Sequence, residues 1–124
     1  MTALIVFAHG SSVEPANDAV RHVSAELARQ GGYGLVQAAF LGGGKPELAD
    51  AIDAAIEAGA GRVIILPYFL TLGLHLQRDL PNLVAAARRR HPGRIIEVTP
   101  PLDGHAGLVG ILLDRARTAL QEQS

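Results

Sequence analysis

The sequence predicts a single doubly wound α/β domain, and three observations carry that expectation. Short β-branched runs recur at Ala3 to Ala8, Leu35 to Phe40, Arg62 to Pro67 and Arg94 to Val98, each about 30 residues after the last, which is βαβ spacing. The stretches between them carry helix punctuation, with Pro near the start and Gly past the end. Residues are 48% hydrophobic but only 4% aromatic, so Ala, Val, Leu and Ile must fill the core, as they do between helices and a buried parallel sheet. A chain of 124 residues supports one such core, and the domain is expected to run over 1–124.

The first strand ends at Ala8 and is followed by His9-Gly10-Ser11-Ser12. The first helix is expected over Pro15 to Gln30, stopped by Gly31-Gly32, and the second over Pro46 to Ala58, stopped by Gly59. A third helix is expected over Asp79 to His91, with Pro81 in its first turn, where the missing N–H costs nothing. The fourth, Ala106 to Gln121, carries Leu108, Ile111, Leu112, Ala116 and Leu120 at helical spacing. Short right-handed crossovers between parallel strands give a flavodoxin-like sheet, whose commonest order is 2-1-3-4. Ligands then bind beyond the carboxyl ends of strands 1 and 3, where the winding reverses. The chain's oddest segments, His9 to Ser12 and Pro67 to Asp79, fall at that crevice.

Composition excludes several functions. Eleven basic against twelve acidic residues give a net charge of −1, so no overall field favours nucleic acid or an anionic membrane. The absence of cysteine removes disulfides, thiolate metal sites and cysteine nucleophiles, and agrees with a reducing compartment. No apolar run approaches the roughly 20 residues of a membrane span, and Leu4 to Ala8 is too short for a signal-peptide core. The expected location is the cytoplasm.

His9 leaves an apolar strand at the sheet rim, and Gly10 permits a tight turn or close ligand approach. It is either a ligand or base, or a structural histidine bonding the next turn. Ser11 and Ser12 either cap the first helix or line the crevice. Tyr68 and Phe69 spend much of the scarce aromatic content at the end of strand 3, where a flat apolar ligand can use them, unless Phe69 is a core plug. His75, expected in the same loop, projects into the crevice that His9 faces. Two neutral imidazoles can hold Co²⁺, Fe²⁺, Ni²⁺ or Zn²⁺, or accept protons as an ion passes on. With no evident third or fourth ligand, transient binding is expected over a closed structural site. His105 is a spare site candidate or a helix entry residue.

Other motifs read more plainly. Gly42-Gly43-Gly44-Lys45 lacks the Ser or Thr of a phosphate loop, because Pro46 follows the lysine, and is expected to be a flexible connection. Arg88-Arg89-Arg90-His91 is expected to be a solvated helix end. No Gly-x-Ser-x-Gly elbow is present, and Ala8 stands where a histidine phosphatase carries arginine.

Taken together, the residues resemble the small single-domain sirohydrochlorin chelatases of the CbiX type, relatives of the class II chelatases that include ferrochelatase. The likeness covers nearly the whole chain. It rests on His9-Gly10-Ser11 after strand 1, Ala39-Phe40-Leu41 before Pro46, Leu66 to Leu70, Gly73-Leu74-His75 with Asp79-Leu80-Pro81, and Pro100-Pro101-Leu102. The resemblance implies a chelatase-like fold and an enzyme of the lyase class. It implies insertion of Co²⁺, or Fe²⁺ or Ni²⁺, as a metal substrate into a carboxylate-rich tetrapyrrole on the way to cobalamin or sirohaem, with no organic cofactor. His9 and His75 inherit the catalytic and metal-binding roles, and Gly10, Ser11, Tyr68, Phe69 and Arg78 are expected to border the tetrapyrrole. A chain of this length resembles half of the longer two-domain members, which implies a symmetric homodimer. One departure is that Gly42 to Lys45 stand where the family usually has acidic residues. Either Glu47 substitutes, or the two histidines suffice, or the protein carries metal or tetrapyrrole without inserting one into the other. Lys45 and Arg78 either pair with substrate carboxylates or face solvent.

Overall fold

The computed structural model describes residues 1–122; Gln123 and Ser124, the last two residues of the expected domain, lie outside the described residues. Strands β1 (Thr2–Ala8), β2 (Leu35–Phe40), β3 (Arg62–Pro67) and β4 (Ile95–Val98) alternate with helices α1 (Glu14–Gly31), α2 (Leu48–Glu57), α3 (Leu74–Arg90) and α4 (Gly107–Glu122). The strands form one parallel sheet in the order β2-β1-β3-β4, as the spacing requires. β1 lies in the middle and is buried from Ala3 to Ala8, the continuous apolar run of a strand covered on both faces.

The two faces are covered unequally. Ile5, Phe7, Val63, Ile65 and Ile96 point to one face, where α2 brings Ile52 and Ala55 and α3 brings Leu76, Leu80, Val84 and Ala87. On the other face, Val6, Ala8, Ala38 and Phe40 meet Val20 and Leu27 of α1. Among the described residues, α1 packs on β1 and β2, and no strand or helix packs on α4. Three helices therefore flank the sheet, and the fourth does not.

α3 begins at Leu74, five residues before the expected Asp79, which places Pro81 inside the helix rather than in its first turn. The stripe Leu76, Leu80, Val84 and Ala87 follows helical spacing and is buried throughout, so packing of its first turn outweighs the bond lost at Pro81. His75 consequently stands on the first turn of a helix and not in a loop.

The basic run at the end of α3 is also more than a solvated face. The Arg88 guanidinium donates twice to the Ile96 carbonyl, at 3.0 and 2.6 Å, and ties the helix to β4. Arg90 and His91 both bond Asp53 of α2, the imidazole Nε2 at 2.6 Å. Burial raises the Asp53 pKa, but the bonds from His91 and Arg90 outweigh it and hold the carboxyl below its ordinary value. A carboxyl depressed in the folded state adds stability above its unfolded pKa of about 3.9, and that stability is lost as pH falls through the lower folded value. Asp53→Asn is therefore expected to cost about 0.5–1 kcal/mol at neutral pH, as half-exposed pairs do. Urea unfolding of both proteins at pH 7 and below pH 4 checks this, because the difference should shrink in acid.

Candidate functional site

The rim is built by the strand registers. Ala8 pairs with Phe40 and Phe7 with Pro67, so the residues that follow, His9, Leu41 and Tyr68, leave the sheet side by side. The Tyr68 amide donates to the Phe7 carbonyl at 2.7 Å and extends the ladder one step beyond β3. His9 is exposed there, and its Nδ1 lies 3.2 Å from the Gly10 carbonyl oxygen. A carbonyl only accepts, so Nδ1 carries the proton and Nε2 holds the lone pair of the neutral ring.

Behind His9 two loops interlock. Gly42 N–H donates to the His9 carbonyl at 3.1 Å, and Leu41 N–H to the Ala8 carbonyl at 3.0 Å. Gly10 adopts φ +88°, and a Cβ there would stand 1.7 Å from the Gly42 carbonyl oxygen. The glycine-rich segment is thus a packed platform under His9, in place of the flexible connection expected from sequence. Gly43 adopts φ +70°, and a Cβ there would stand 2.9 Å from the Ser11 backbone, while one at Gly44 would press on Asn17 and Phe40 at 3.0 Å and one at Gly42 would meet nothing.

Asn17 pins the two loops together and was missed in the sequence. It is 1% exposed. Its Oδ1 accepts from Ser11 N–H at 2.9 Å, and its Nδ2 donates to the carbonyls of Ser11 at 2.9 Å and Gly43 at 3.2 Å. Its one sequence signal is an asparagine four turns before the end of an otherwise ordinary amphipathic helix, and the partner Gly43 is 26 residues away. Ser11 does not cap α1 at the N-cap position, which Val13 occupies; its Oγ accepts from Val13 N–H at 3.0 Å and shapes the turn before the helix. Asn17→Ala is expected to leave the half-buried Ser11 N–H and the Ser11 and Gly43 carbonyls without their side-chain partner, at a cost of about 1–2 kcal/mol. Denaturant midpoints of the two proteins measure that loss.

After β3 and its connecting loop, His75 is exposed on the first turn of α3. Arg78, one turn on, brings its NH2 group to 3.4 Å from His75 Nδ1 and its Nε to 3.3 Å from Asp79. A guanidinium only donates, so this contact assigns the His75 lone pair to Nδ1. Tyr68 is exposed, whereas Phe69 is half-buried and sets its ring against Phe7, with centroids 5.8 Å apart and planes at 59°. His105 uses Nδ1 to accept the Gly107 N–H at 2.8 Å and so caps the start of α4. Lys45 pairs with Glu47 at 3.3 Å.

The rim is open. Among the described residues no three His, Asp or Glu side chains are grouped to hold a metal ion. A hollow of about 420 Å³ lies beside it, lined by Thr99 to His105. No described helix is long and apolar enough to cross a membrane.

The fold is a small doubly wound domain with one exposed imidazole directly after β1 and another on the first turn of α3, the helix that follows the neighbouring strand β3. The chain belongs to the CbiX family, whose model matches residues 3–119. It is 30% identical over 117 residues to the chloroplastic sirohydrochlorin ferrochelatase of Arabidopsis thaliana, a match that spans 94% of this chain and 52% of the relative. It is 28% identical over 120 residues to the sirohydrochlorin cobaltochelatase of Sulfolobus acidocaldarius, spanning 97% and 94% of the two chains. Two solved structures share the fold. The CbiX protein of Marinobacter aquaeolei superposes with a TM-score of 0.85 at 21% identity over 98% and 99% of the chains. The cobalt complex of the sirohydrochlorin chelatase SirB from Bacillus subtilis superposes with a TM-score of 0.84 at 22% identity, over 94% of this chain and 50% of SirB.

Proposed function

We propose that this chain is a sirohydrochlorin chelatase that inserts a divalent ion, Co²⁺ ahead of Fe²⁺ or Ni²⁺, into the tetrapyrrole. The observation that carries the reading is the pair of exposed imidazoles, His9 and His75, on neighbouring segments of the switch-point rim in a CbiX-family chain. The named relatives supply the substrate, sirohydrochlorin, and two of the metals, cobalt and iron.

Metallation brings one divalent ion into the ring and expels two pyrrolic protons. An imidazole lone pair suits both halves of that exchange. His9 Nε2, freed by the bond from Nδ1 to the Gly10 carbonyl, receives the ion as its waters leave; once the ion has passed on, the same nitrogen accepts a proton. His75 serves the facing side through its Nδ1 lone pair once Arg78, which donates to it in the free protein, turns to a substrate carboxylate. Two ligands hold a metal weakly, which suits an ion that is substrate and must be released. Gly10 and Ser11 let the macrocycle approach the backbone, Tyr68 and Phe69 offer apolar edge, and Arg78 offers a guanidinium for a peripheral carboxylate.

Residues 1–124 act as one chelatase domain in this reading, and two copies form a homodimer in the cytoplasm. The open rim supports the dimer, because a planar macrocycle needs a second wall that one chain lacks, and because this chain matches half of SirB. The cysteine-free composition supports the compartment. The test mixes purified protein and sirohydrochlorin with Co²⁺, Fe²⁺ and Ni²⁺ in parallel and follows the absorption spectrum. Acceleration over the protein-free control with at least one ion is expected, and none with any ion overturns the reading.

A further inference from the structure

Asn17 does more than tie two loops. Its Oδ1 accepts the Ser11 N–H at 2.9 Å, and that N–H belongs to the same peptide unit as the Gly10 carbonyl. The Gly10 carbonyl is in turn the acceptor for His9 Nδ1, at 3.2 Å. A trans peptide is planar and points its C=O and N–H in opposite directions, so one rigid unit has Asn17 at one edge and the His9 ring at the other. Gly10, at φ +88°, supplies the turn that aims this carbonyl back at the ring before it.

The Asn17 amide is itself held one way round. Its Nδ2 faces three acceptors: the Ser11 carbonyl at 2.9 Å, the Gly43 carbonyl at 3.2 Å and Glu14 Oε2 at 3.2 Å. Glu14 is fixed in turn by Arg21 at 2.6 Å. Turned over, the amide would set its oxygen against three acceptors and its NH2 group against the Ser11 N–H. At 1% exposure it has no solvent to turn toward. A side chain that only joined the loops would need the Ser11 and Gly43 carbonyls alone; the Oδ1 bond falls on the one peptide unit whose far end meets the imidazole.

We infer that Asn17 is a positioning residue for His9: through the Gly10–Ser11 peptide it fixes the imidazole with its proton on Nδ1 and its lone pair on Nε2, free at the rim. This deepens the chelatase reading, on which the use of that lone pair rests. A bond to the N–H end of a peptide polarises its carbonyl and strengthens the acceptor that His9 meets. Metal-binding histidines are commonly oriented by a partner on their other nitrogen, and loss of such a partner costs about 10- to 100-fold in affinity or activity.

Two variants separate positioning from stability. Asn17→Ala removes the acceptor for Ser11 N–H, whereas Asn17→Asp keeps an oxygen there in either charge state and gives up donors to the carbonyls and Glu14. Both should melt below the wild type. Long-range proton–nitrogen NMR of the imidazoles at about pH 8.5, well above the ordinary histidine range, reads the tautomers, with His9 assigned by its absence from His9→Ala. In the wild type and Asn17→Asp, His9 should carry its proton on Nδ1. In Asn17→Ala its two nitrogens should average between tautomers, while His22, His75, His91 and His105 stay as in the wild type. Co²⁺ insertion into sirohydrochlorin by Asn17→Ala should fall about tenfold or more at unchanged KM, and Asn17→Asp should keep roughly half of the wild-type rate or better. A His9 ring already averaged in the wild type, or a tautomer unchanged in Asn17→Ala, overturns the inference. So does a full insertion rate with the tautomer lost, or a folded Asn17→Asp protein that behaves like Asn17→Ala. If the wild type inserts no ion, the chelatase reading fails, and the ring spectra still decide whether Asn17 sets His9.

Discussion

Replacing His9 with alanine is expected to lower the rate of metal insertion by about 10²-fold or more while leaving the melting temperature within a few degrees of the wild type. The activity loss follows from removing a group that meets both ion and proton, the range typical of a positioned acid or base. The stability is spared because the imidazole is exposed and its one contact is with the adjacent Gly10 carbonyl, which turns to solvent without it. Initial rates at saturating Co²⁺ and sirohydrochlorin, with a thermal melt of each protein, separate the two effects. A His9→Ala variant that melts like the wild type and inserts metal at full rate removes His9 from the mechanism.

Gly10→Ala is expected to act in the opposite way, through the fold. The backbone there has φ +88°, which a side chain rarely adopts, and the new methyl would lie 1.7 Å from the Gly42 carbonyl oxygen. That oxygen belongs to backbone held by the Gly42 N–H bond to His9, so it has little room to yield. Left-handed strain and the displaced loop together should cost more than about 3 kcal/mol. Denaturant unfolding measures it. Because the His9 loop must shift to relieve the contact, insertion by whatever protein remains folded should fall as well. An alanine variant of wild-type stability would mean that the two loops are not packed as described.

The strands were legible because each is a short β-branched run with Gly or Pro at its borders, and parallel connection leaves little freedom once four such runs alternate with helices. The order β2-β1-β3-β4 and the rim followed from the same reasoning. α3 was misjudged at its start because proline marks a helix entrance more often than an interior. The buried stripe from Leu76 to Ala87 overrode that signal, and His75 moved from loop to helix with it. Asn17 was invisible because its partners Ser11 and Gly43 come together only in the folded chain. The Gly42 to Gly44 segment was read by its composition, whereas its meaning lies in what crosses it, the His9 loop. The apolar stripe of α4 was plain in the sequence. Where that stripe goes was not, since periodicity names a buried face and not the surface that buries it.

We propose that His9 and His75 act on the ion as one unit. A double-mutant cycle tests this most directly: initial rates of Co²⁺ insertion into sirohydrochlorin by the wild type, His9→Ala, His75→Ala and the double variant. If the pair is one unit, either single replacement removes nearly all of the acceleration, and the double variant is within a few-fold of each single one. Losses that multiply in the double variant, or single variants that keep full activity, would contradict it.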